Sequence, residues 1–339
     1  MLRLQPGLEV FPDGDTVYLI RDGTTAEFVI EGADAALIAL LDRLREPCDP
    51  APSPELDELR AHGLVVEAVP EAPLDPESQA RYGRQLRYFA ATRPGHAAAA
   101  QRALASATVT IVGTGGLGTW TASALACAGL GRLVLVDDDT IELGNLNRQI
   151  LYRRADVGRP KVEVADEALT AFNPAITIVP RRRRVDGPAA AAEIVEGADF
   201  VVETADWPPY ELSRWLDAAC RRHRIPRITA AQFPPYVRIG PAYLPGRPGC
   251  LECQERAARR AFPLYDRLQA HRRDRPETAA TLGPASGIIG AALAMEVTHH
   301  LTGIATPATA GAGITIDLRD WSVQRDAIER DPGCRSCGA

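Results

Sequence analysis

Residues 108–118 read TVTIVGTGGLG, and they set the architecture of most of this chain. The stretch joins a short apolar strand to a Gly-x-Gly-Gly-x-Gly turn, and a run of small residues typical of a helix follows. Glycines in such a turn let backbone N–H groups approach phosphates at the helix N-terminus. Asp137 ends the next predicted strand, RLVLVDDD (132–139), where an acceptor for a ribose hydroxyl belongs. The motif by itself fits NAD, FAD and ATP.

Strand and helix patterns alternate after this turn, which predicts an α/β fold with a parallel, doubly wound sheet. Further strands are predicted at 175–180, 198–206, 226–232, 236–245 and 313–318, and helices at 161–172, 210–223 and 285–301. Residues 254–280 carry seven arginines and show little pattern, so they are predicted to form a loop. That loop is either mobile and solvated or a lid over the reactive end of a substrate.

Composition sets outer limits on the function. The 339 residues are 46% hydrophobic and 24% charged, which suits about two globular domains and excludes disordered and collagen-like classes. The net charge of −6 argues against general nucleic-acid binding, and we interpret Arg181–Arg184 as a solvated strand end. No apolar run is long enough for a membrane span or a signal peptide, so we expect a cytoplasmic protein without a membrane partner.

The cationic side chains are almost all of one type. Of the 38 cationic side chains 37 are arginine, and the single lysine is Lys161. Either this lysine survived a compositional bias by chance, or it does something that arginine cannot. An ammonium is a compact point charge, whereas a guanidinium is a flat fork.

Four of the seven cysteines form two Cys-x-x-Cys pairs. Four thiolates can build a closed tetrahedral Zn²⁺ site, and the alternative is two redox or accidental pairs. The candidate zinc ligands are Cys250, Cys253, Cys334 and Cys337. Cys48, Cys127 and Cys220 are predicted to be small hydrophobic residues rather than nucleophiles.

Residues 1–70 predict a small α+β module of winged-helix type. Three strands, LEVF, TVYLI and AEFVI, are separated by Asp-Gly turns at 12–15 and 21–23. A helix follows at 33–47, then a second between an N-cap at Ser53 and a C-cap at Gly63, then a strand, LVVEAV. Residues 71–80 are predicted to be a linker, and 81–339 the catalytic domain.

Several motifs occur together between Arg81 and the C-terminus: RYGRQ, GTGGLG, LVDDDTIELGNLNRQ, VGRPK, ADFVVETAD, GCLEC, LGPASGIIGAALAMEVTHHLTG and CRSC. In this order they resemble the ThiF/MoeB-type adenylating enzymes, relatives of the ubiquitin-activating enzymes. The resemblance implies a Rossmann-like adenylation domain that uses ATP and Mg²⁺, with a zinc-bound C-terminal part. A polar loop such as the one after Asp137 is not what a dehydrogenase needs.

The resemblance also implies roles for individual residues. Asp137 would bind the ribose, Arg148 and Lys161 the phosphates, and Asp206 the Mg²⁺. Arg84 would reach the triphosphate of the neighbouring subunit in a homodimer. The remaining implied nucleotide-binding residues are Gly113, Gly115, Gly116, Gly118, Asp139, Asn145 and Gln149. One position departs from the family pattern, because Trp207 follows Asp206 where an asparagine is usual.

The N-terminal pattern resembles the PqqD-like element that binds leader peptides of ribosomally made peptide natural products. Such elements bind a peptide by strand addition, here at Thr25–Ile30 beside the helix Asp34–Leu44. The alternative is a packing or dimerisation domain. Both parts together resemble the microcin C-type and pantocin-type peptide-modifying enzymes.

We therefore expect ATP-dependent adenylation of a carboxylate on a precursor peptide, with release of pyrophosphate. Residues 254–333 contain no cysteine, so no enzyme thioester is expected. The alternatives are a leader-binding adaptor for a separate cyclodehydratase and a sulfur-carrier-protein adenylyltransferase.

Overall fold

The computed structural model describes residues 1–21, 26–275 and 280–337. The chain forms two compact units, residues 1–102 and 103–339. The first unit thus extends beyond the predicted module, and helix α3 (Pro76–Thr92) begins inside the predicted linker at 71–80.

The first unit contains two small antiparallel sheets. Strands β2 (Glu9–Asp13), β3 (Thr16–Ile20) and β4 (Ala26–Ile30) lie in that order, and β1 (Leu2–Leu4) pairs with β5 (Val65–Glu67). The three central strands agree with the sequence prediction, whereas β1 was not predicted. The second predicted turn, with Asp22 and Gly23, and Thr25 lie outside the described residues.

Helices α1 (Ala35–Arg43) and α2 (Pro54–Ala61) cover the core of this unit, where Val17, Leu19 and Leu41 are fully buried. The predicted N-cap is present, because the Leu56 N–H donates to Ser53 Oγ at 3.2 Å. The unit continues through α3, and α4 (Ala97–Ser106) carries the chain into the second unit.

The second unit is built on an eight-stranded mixed sheet of order β13-β12-β11-β10-β9-β6-β7-β8. Its strands are β6 (Thr108–Val112), β7 (Arg132–Val136), β8 (Thr177–Arg181), β9 (Phe200–Glu203), β10 (Arg227–Phe233), β11 (Tyr236–Tyr243), β12 (Ala312–Asp317) and β13 (Val323–Ala327). The five neighbouring strands β10-β9-β6-β7-β8 run parallel, as predicted. The predicted parallel sheet is extended into a mixed one, because a tight turn returns the chain antiparallel from β10 to β11, and β12 and β13 continue that pattern.

Helices cover both faces of this sheet. They are α5 (Gly116–Ala128), α6 (Lys161–Phe172), α7 (Pro188–Val195), α8 (Glu211–His223), α9 (Leu251–Ala261), α10 (Tyr265–Asp274) and α11 (Gly283–Thr302). Successive residues of β7 enter opposite cores, since Leu133 and Leu135 pack with α5, α6 and α11 while Val134 and Val136 pack with α7 and α8. None of the helices in the described part of the chain combines the length and apolar character needed to cross a bilayer.

Helices α9 and α10 correct the prediction of a loop over 254–280. Acid–base pairs one helical turn apart, Glu252–Arg256 and Glu255–Arg259, support α9. Only Cys253 is buried in α9, so this arginine-rich stretch has few buried apolar side chains to mark it as a helix. The signal was therefore in the spacing of charges. Glu277 lies outside the described residues.

Candidate functional site

A cavity of about 630 Å³ opens at the carboxyl ends of β6, β7, β9 and β10. This is where open α/β sheets bind ligands. Most of the predicted nucleotide residues line it, namely Gly113, Gly115, Gly116, Asp137, Asp139, Asn145, Arg148, Gln149, Lys161 and Asp206. Polar lining residues that were not predicted include Arg183, Arg184, Gln232 and Ser286.

The glycine turn between β6 and α5 is closed by backbone contacts. Gly113 has φ +97°, and a Cβ there would lie 2.6 Å from the Ala205 nitrogen. A Cβ on Gly118 would lie 1.9 Å from the Gly113 oxygen. Gly118 therefore shapes the turn from within the helix, and side chains are excluded at both positions.

Thr204, which was not predicted as a site residue, joins the glycine turn to the loop after β9. Its hydroxyl donates to the carbonyl oxygens of Gly113 and Val112 at 2.7 and 3.0 Å. The Thr204 and Ala205 N–H groups also donate to the Val112 oxygen. The turn and the loop that carries Asp206 are thus one hydrogen-bonded structure.

Asp137 is held against the same turn. Its Oδ2 accepts the Thr114 N–H at 2.7 Å and the Thr114 hydroxyl at 3.0 Å. Tyr152 donates to the Thr114 oxygen at 2.8 Å, and burial raises the pKa of this tyrosine. Carboxylate oxygens have several acceptor positions, so Asp137 keeps capacity for a ribose hydroxyl.

Lys161 begins α6 and is almost entirely buried. Its side chain is 7% exposed, and Nζ donates to Asp139 Oδ2 at 2.7 Å. The Asp139 side chain is 56% exposed. The structure therefore brings the single lysine to the cavity wall with a carboxylate partner.

The segment 145–149 supplies two more polar groups to the wall. Arg148 donates to the Gly144 oxygen at 2.9 Å and packs 3.3 Å from where a Gly116 Cβ would lie. Gln149 is 3% exposed, and within the described residues its Oε1 has no hydrogen-bond partner. A buried acceptor without a partner next to a glycine turn fits a ligand that donates hydrogen bonds.

Asp206 and Trp207 lie exposed in the loop after β9, and both line the cavity. Behind this loop, Arg227 is 1% exposed and donates to Glu203 at 2.6 Å and to Asp217 at 3.2 Å. Burial raises the pKa of Glu203, although Arg227 lies against it. This ion network, which the sequence did not suggest, fixes the strand end where the Asp206 loop starts.

Arg84 lies on α3 in the first unit and is exposed. The buried face of that helix holds Tyr82, Leu86 and Phe89, so Arg84 points away from the core of its own unit. Its role at a nucleotide stays a prediction.

The side chains of the four paired cysteines come together in one cluster. Their Sγ atoms all lie within 4.8 Å of one another. The separations are 3.4 Å for Cys250–Cys334 and Cys253–Cys337, and 3.7 Å within each pair. A tetrahedral zinc–thiolate site requires sulfurs about 3.8 Å apart, and a disulfide requires about 2 Å. The donor set therefore fits zinc.

Glu252, between the first two cysteines, adds a polar contact to the C-terminal segment. It accepts the Ser336 hydroxyl at 2.5 Å and the Arg335 N–H at 3.4 Å. Ser336, with Arg256 beside it, lowers the pKa of Glu252 to about 2. The charged carboxylate thus stabilises the tail at neutral pH.

The other cysteines behave differently from one another. Cys220 is 2% exposed, and burial raises its pKa to about 12. Both observations agree with its prediction as a small hydrophobic residue. Cys127 is exposed on the outer side of the last turn of α5, so it does not pack as the small hydrophobic residue that was predicted. Cys48 is half-buried.

Known proteins are similar to this chain in sequence and in fold. The family model described as "ThiF family" matches residues 82–336. The molybdopterin-synthase adenylyltransferase of Escherichia coli is 34% identical over 269 residues, covering 79% of this chain and 99% of that protein. The sulfur carrier protein ThiS adenylyltransferase of the same organism is 34% identical over 258 residues, covering 76% of this chain and 94% of that protein.

Two solved structures extend the likeness. Escherichia coli MccB with MccA-N7isoASN superposes with a TM-score of 0.80 at 24% identity and covers 99% of both chains. At this identity the likeness is one of fold. PaaA superposes with a TM-score of 0.68 at 27% identity, covering 81% of this chain and 91% of that chain.

Proposed function

This chain belongs to the ThiF family and is an ATP-dependent adenylyltransferase, and we propose that the carboxylate it activates lies on a ribosomally made precursor peptide. The proposal rests on how much of this chain each known protein matches. The family model leaves residues 1–81 unmatched, and the molybdopterin-synthase relative covers only 79% of this chain. The MccB fold covers 99% of it, and MccB is solved with the peptide MccA.

In the proposed reaction, the peptide carboxylate attacks the α-phosphorus of ATP, a P–O bond breaks, and pyrophosphate leaves. A carboxylate that approaches a polyanion needs cations that neutralise charge in the transition state. Arg148 and Lys161 would bind phosphates, and Asp206 would hold Mg²⁺. The glycine turn (Gly113, Gly115, Gly116, Gly118) would receive the triphosphate, Asp137, Asn145 and Gln149 would contact the rest of the nucleotide, and Asp139 lies in the cavity wall beside Lys161. Arg84 would act in a second copy of the chain, which makes the enzyme a homodimer.

We propose that the four cysteines hold a structural Zn²⁺ that ties the C-terminal segment to α9. Four thiolates leave no open position, so the metal takes no part in the chemistry. Free thiols persist in a reducing compartment, which favours a cytoplasmic location.

For the peptide, we propose that the first unit is a PqqD-like recognition element. Its strand β4 is at the edge of the sheet β2-β3-β4, and an edge strand can pair with an extended peptide. Helix α1, which contains most of the predicted Asp34–Leu44 segment, would supply apolar contacts.

The adenylate would pass to another nucleophile without an enzyme thioester. No cysteine occurs between Cys253 and Cys334, and Cys220 is buried with a raised pKa. A buried thiol of this kind is a poor nucleophile at neutral pH.

A second candidate function is adenylation of a sulfur-carrier protein, because one relative at 34% identity is named as the adenylyltransferase of such a carrier. A leader-binding adaptor without ATP chemistry is disfavoured, since Arg148, Lys161 and Asp206 all line one cavity.

The test is ATP–pyrophosphate exchange with two substrates, a short peptide from a neighbouring gene and a carrier protein with a Gly-Gly end. We expect exchange with the peptide only, and a loss of about 10²–10³-fold in Lys161→Ala and Asp206→Ala. Asp320→Ala, which removes a carboxylate in the turn between β12 and β13, is the matched control. Exchange with the carrier alone would replace the peptide proposal, and wild-type exchange in both variants would refute the assigned site.

A further inference from the structure

Three consecutive acids, Asp137, Asp138 and Asp139, follow β7, and the structure gives each a different partner. Asp137 accepts from Thr114, and Asp138 lies 3.0 Å from Arg184. Asp139 lies 2.7 Å from the Lys161 ammonium. A carboxylate close to a triphosphate repels it, so the third acid requires a reason other than direct binding of phosphate.

The reason lies in the position of Lys161. Its ammonium is nearly buried and sits on the first residue of α6, whose N-cap, Pro160, provides no side-chain hydrogen bond. A helix N-terminus is the positive end of the helix dipole, so a cation there is unfavourable unless an anion compensates. Asp139 is that anion.

The backbone fixes this pairing. The Lys161 N–H donates to the Asp139 oxygen at 3.1 Å, and the Ile141 N–H donates to the Arg159 oxygen at 2.9 Å. Thr140 and Pro160 form an antiparallel bridge between these contacts. The segment 139–141 is therefore joined to 159–161 on both sides of Thr140 and Pro160, and the ion pair lies at one end of this short ladder, where a backbone hydrogen bond holds Asp139 next to Lys161.

We propose that Asp139 is a positioning residue, which orients Lys161 toward the phosphates instead of contacting the nucleotide. An ammonium has three N–H donors. One is taken by Asp139, and this bond directs the other two into the cavity that Lys161 lines. The inference rests on ATP binding and is independent of the peptide proposal, since neither measurement below involves a peptide.

A double-mutant cycle on the full-length protein tests the proposal, with the dissociation constant of ATP·Mg²⁺ as the readout. Asp139→Ala alone should weaken binding by about tenfold, because the ammonium loses its orientation. In a Lys161→Ala background the same change should have no further effect, since Asp139 acts only through that lysine. A role in overall folding would give equal losses in both backgrounds.

Glu167→Ala is the matched control. Glu167 is on α6, the helix that Lys161 begins, and its carboxylate lies 2.5 Å from Arg159 and outside the cavity lining. Its removal should leave ATP binding within about twofold of wild type. Thermal melting without nucleotide shows whether each variant is folded. If the alanine variant is unfolded, Asp139→Asn, which keeps the side-chain shape, replaces it in the double-mutant cycle. Equal losses with and without Lys161, or no loss in the wild-type background, would overturn the proposal.

Discussion

The nucleotide cavity and the cysteine cluster are two sites of one unit, and they are assembled in opposite ways. The cavity is shaped by backbone: glycine turns, strand ends and carbonyl groups that Thr204 joins. It lies on strands whose central residues, such as Val109, Ile111 and Leu135, are fully buried. The cluster is shaped by four sulfurs from segments more than 80 residues apart, with Ile328 as the apolar residue packed beside them.

This difference separates a site that folding prepares from one that a ligand must complete. A cavity made of strand ends keeps its geometry because the sheet does. Four thiols have little to hold them together until a metal replaces their protons. Mutations should therefore affect the two sites through different quantities, nucleotide affinity for the first and folding for the second.

The largest effect is expected from the cluster. Cys253→Ser removes a fully buried sulfur of the proposed zinc site, and we expect the protein to lose zinc binding together with roughly 4–5 kcal/mol of unfolding free energy. Zinc content by atomic absorption and urea unfolding would measure this. Cys127→Ser, which changes an exposed thiol, is the control and should retain both zinc and stability. A zinc-free wild-type protein of equal stability would contradict the contrast.

Gly118→Ala tests the backbone-built cavity. The new Cβ would lie 1.9 Å from the Gly113 oxygen, so the turn must shift. We expect a stability loss of about 1–3 kcal/mol and no measurable ATP binding, while zinc content stays unchanged. Gly187→Ala is the control, since no atom lies within 4 Å of its Cβ position. Calorimetric titration with ATP·Mg²⁺ gives the readout, and normal binding in Gly118→Ala would show that the turn is not rigid.

Lys161→Arg should have the smallest effect. It keeps the charge but places a wide guanidinium where a nearly buried ammonium meets Asp139. We expect ATP–pyrophosphate exchange to fall about tenfold with little change in melting temperature. Arg159→Lys, the reverse exchange at an exposed pair two residues earlier, should leave exchange unaltered. Wild-type rates in Lys161→Arg would show that the site needs only a positive charge.

Sequence patterns were most reliable where local signals and burial agree. The predicted helix 161–172 has the same bounds as α6, and the strand predicted at 108–112 matches β6. The strand predicted at 132–139 begins with β7 but ends three residues later than Val136. Apolar strands followed by helices leave few alternatives in this arrangement. For the same reason the residues that follow these strands were brought together in one cavity, although their chemical roles remain predictions.

The rest depended on tertiary context. Strand β13 has exposed and polar residues, because it lies at the sheet edge, and thus carries no apolar alternation. Helix α9 buries one residue and relies on charge pairs. Gln232 and Ser286 reach the cavity from β10 and α11, which only the strand order and the packing of α11 bring to this edge. Gln232 lies in none of the motifs quoted above, and the motif that contains Ser286 does not indicate which strand end the helix packs against.

The Thr204 hydrogen bonds have an evolutionary consequence. Because Gly113 has no room for a Cβ beside Ala205, and Thr204 binds the carbonyls of Val112 and Gly113, residues 112–113 and 204–205 constrain each other across the sheet. A side chain at position 113 would displace the backbone of Ala205, and loss of the Thr204 hydroxyl would remove a hydrogen bond from the Gly113 carbonyl. These two short segments should therefore vary together among related proteins, as one inherited unit.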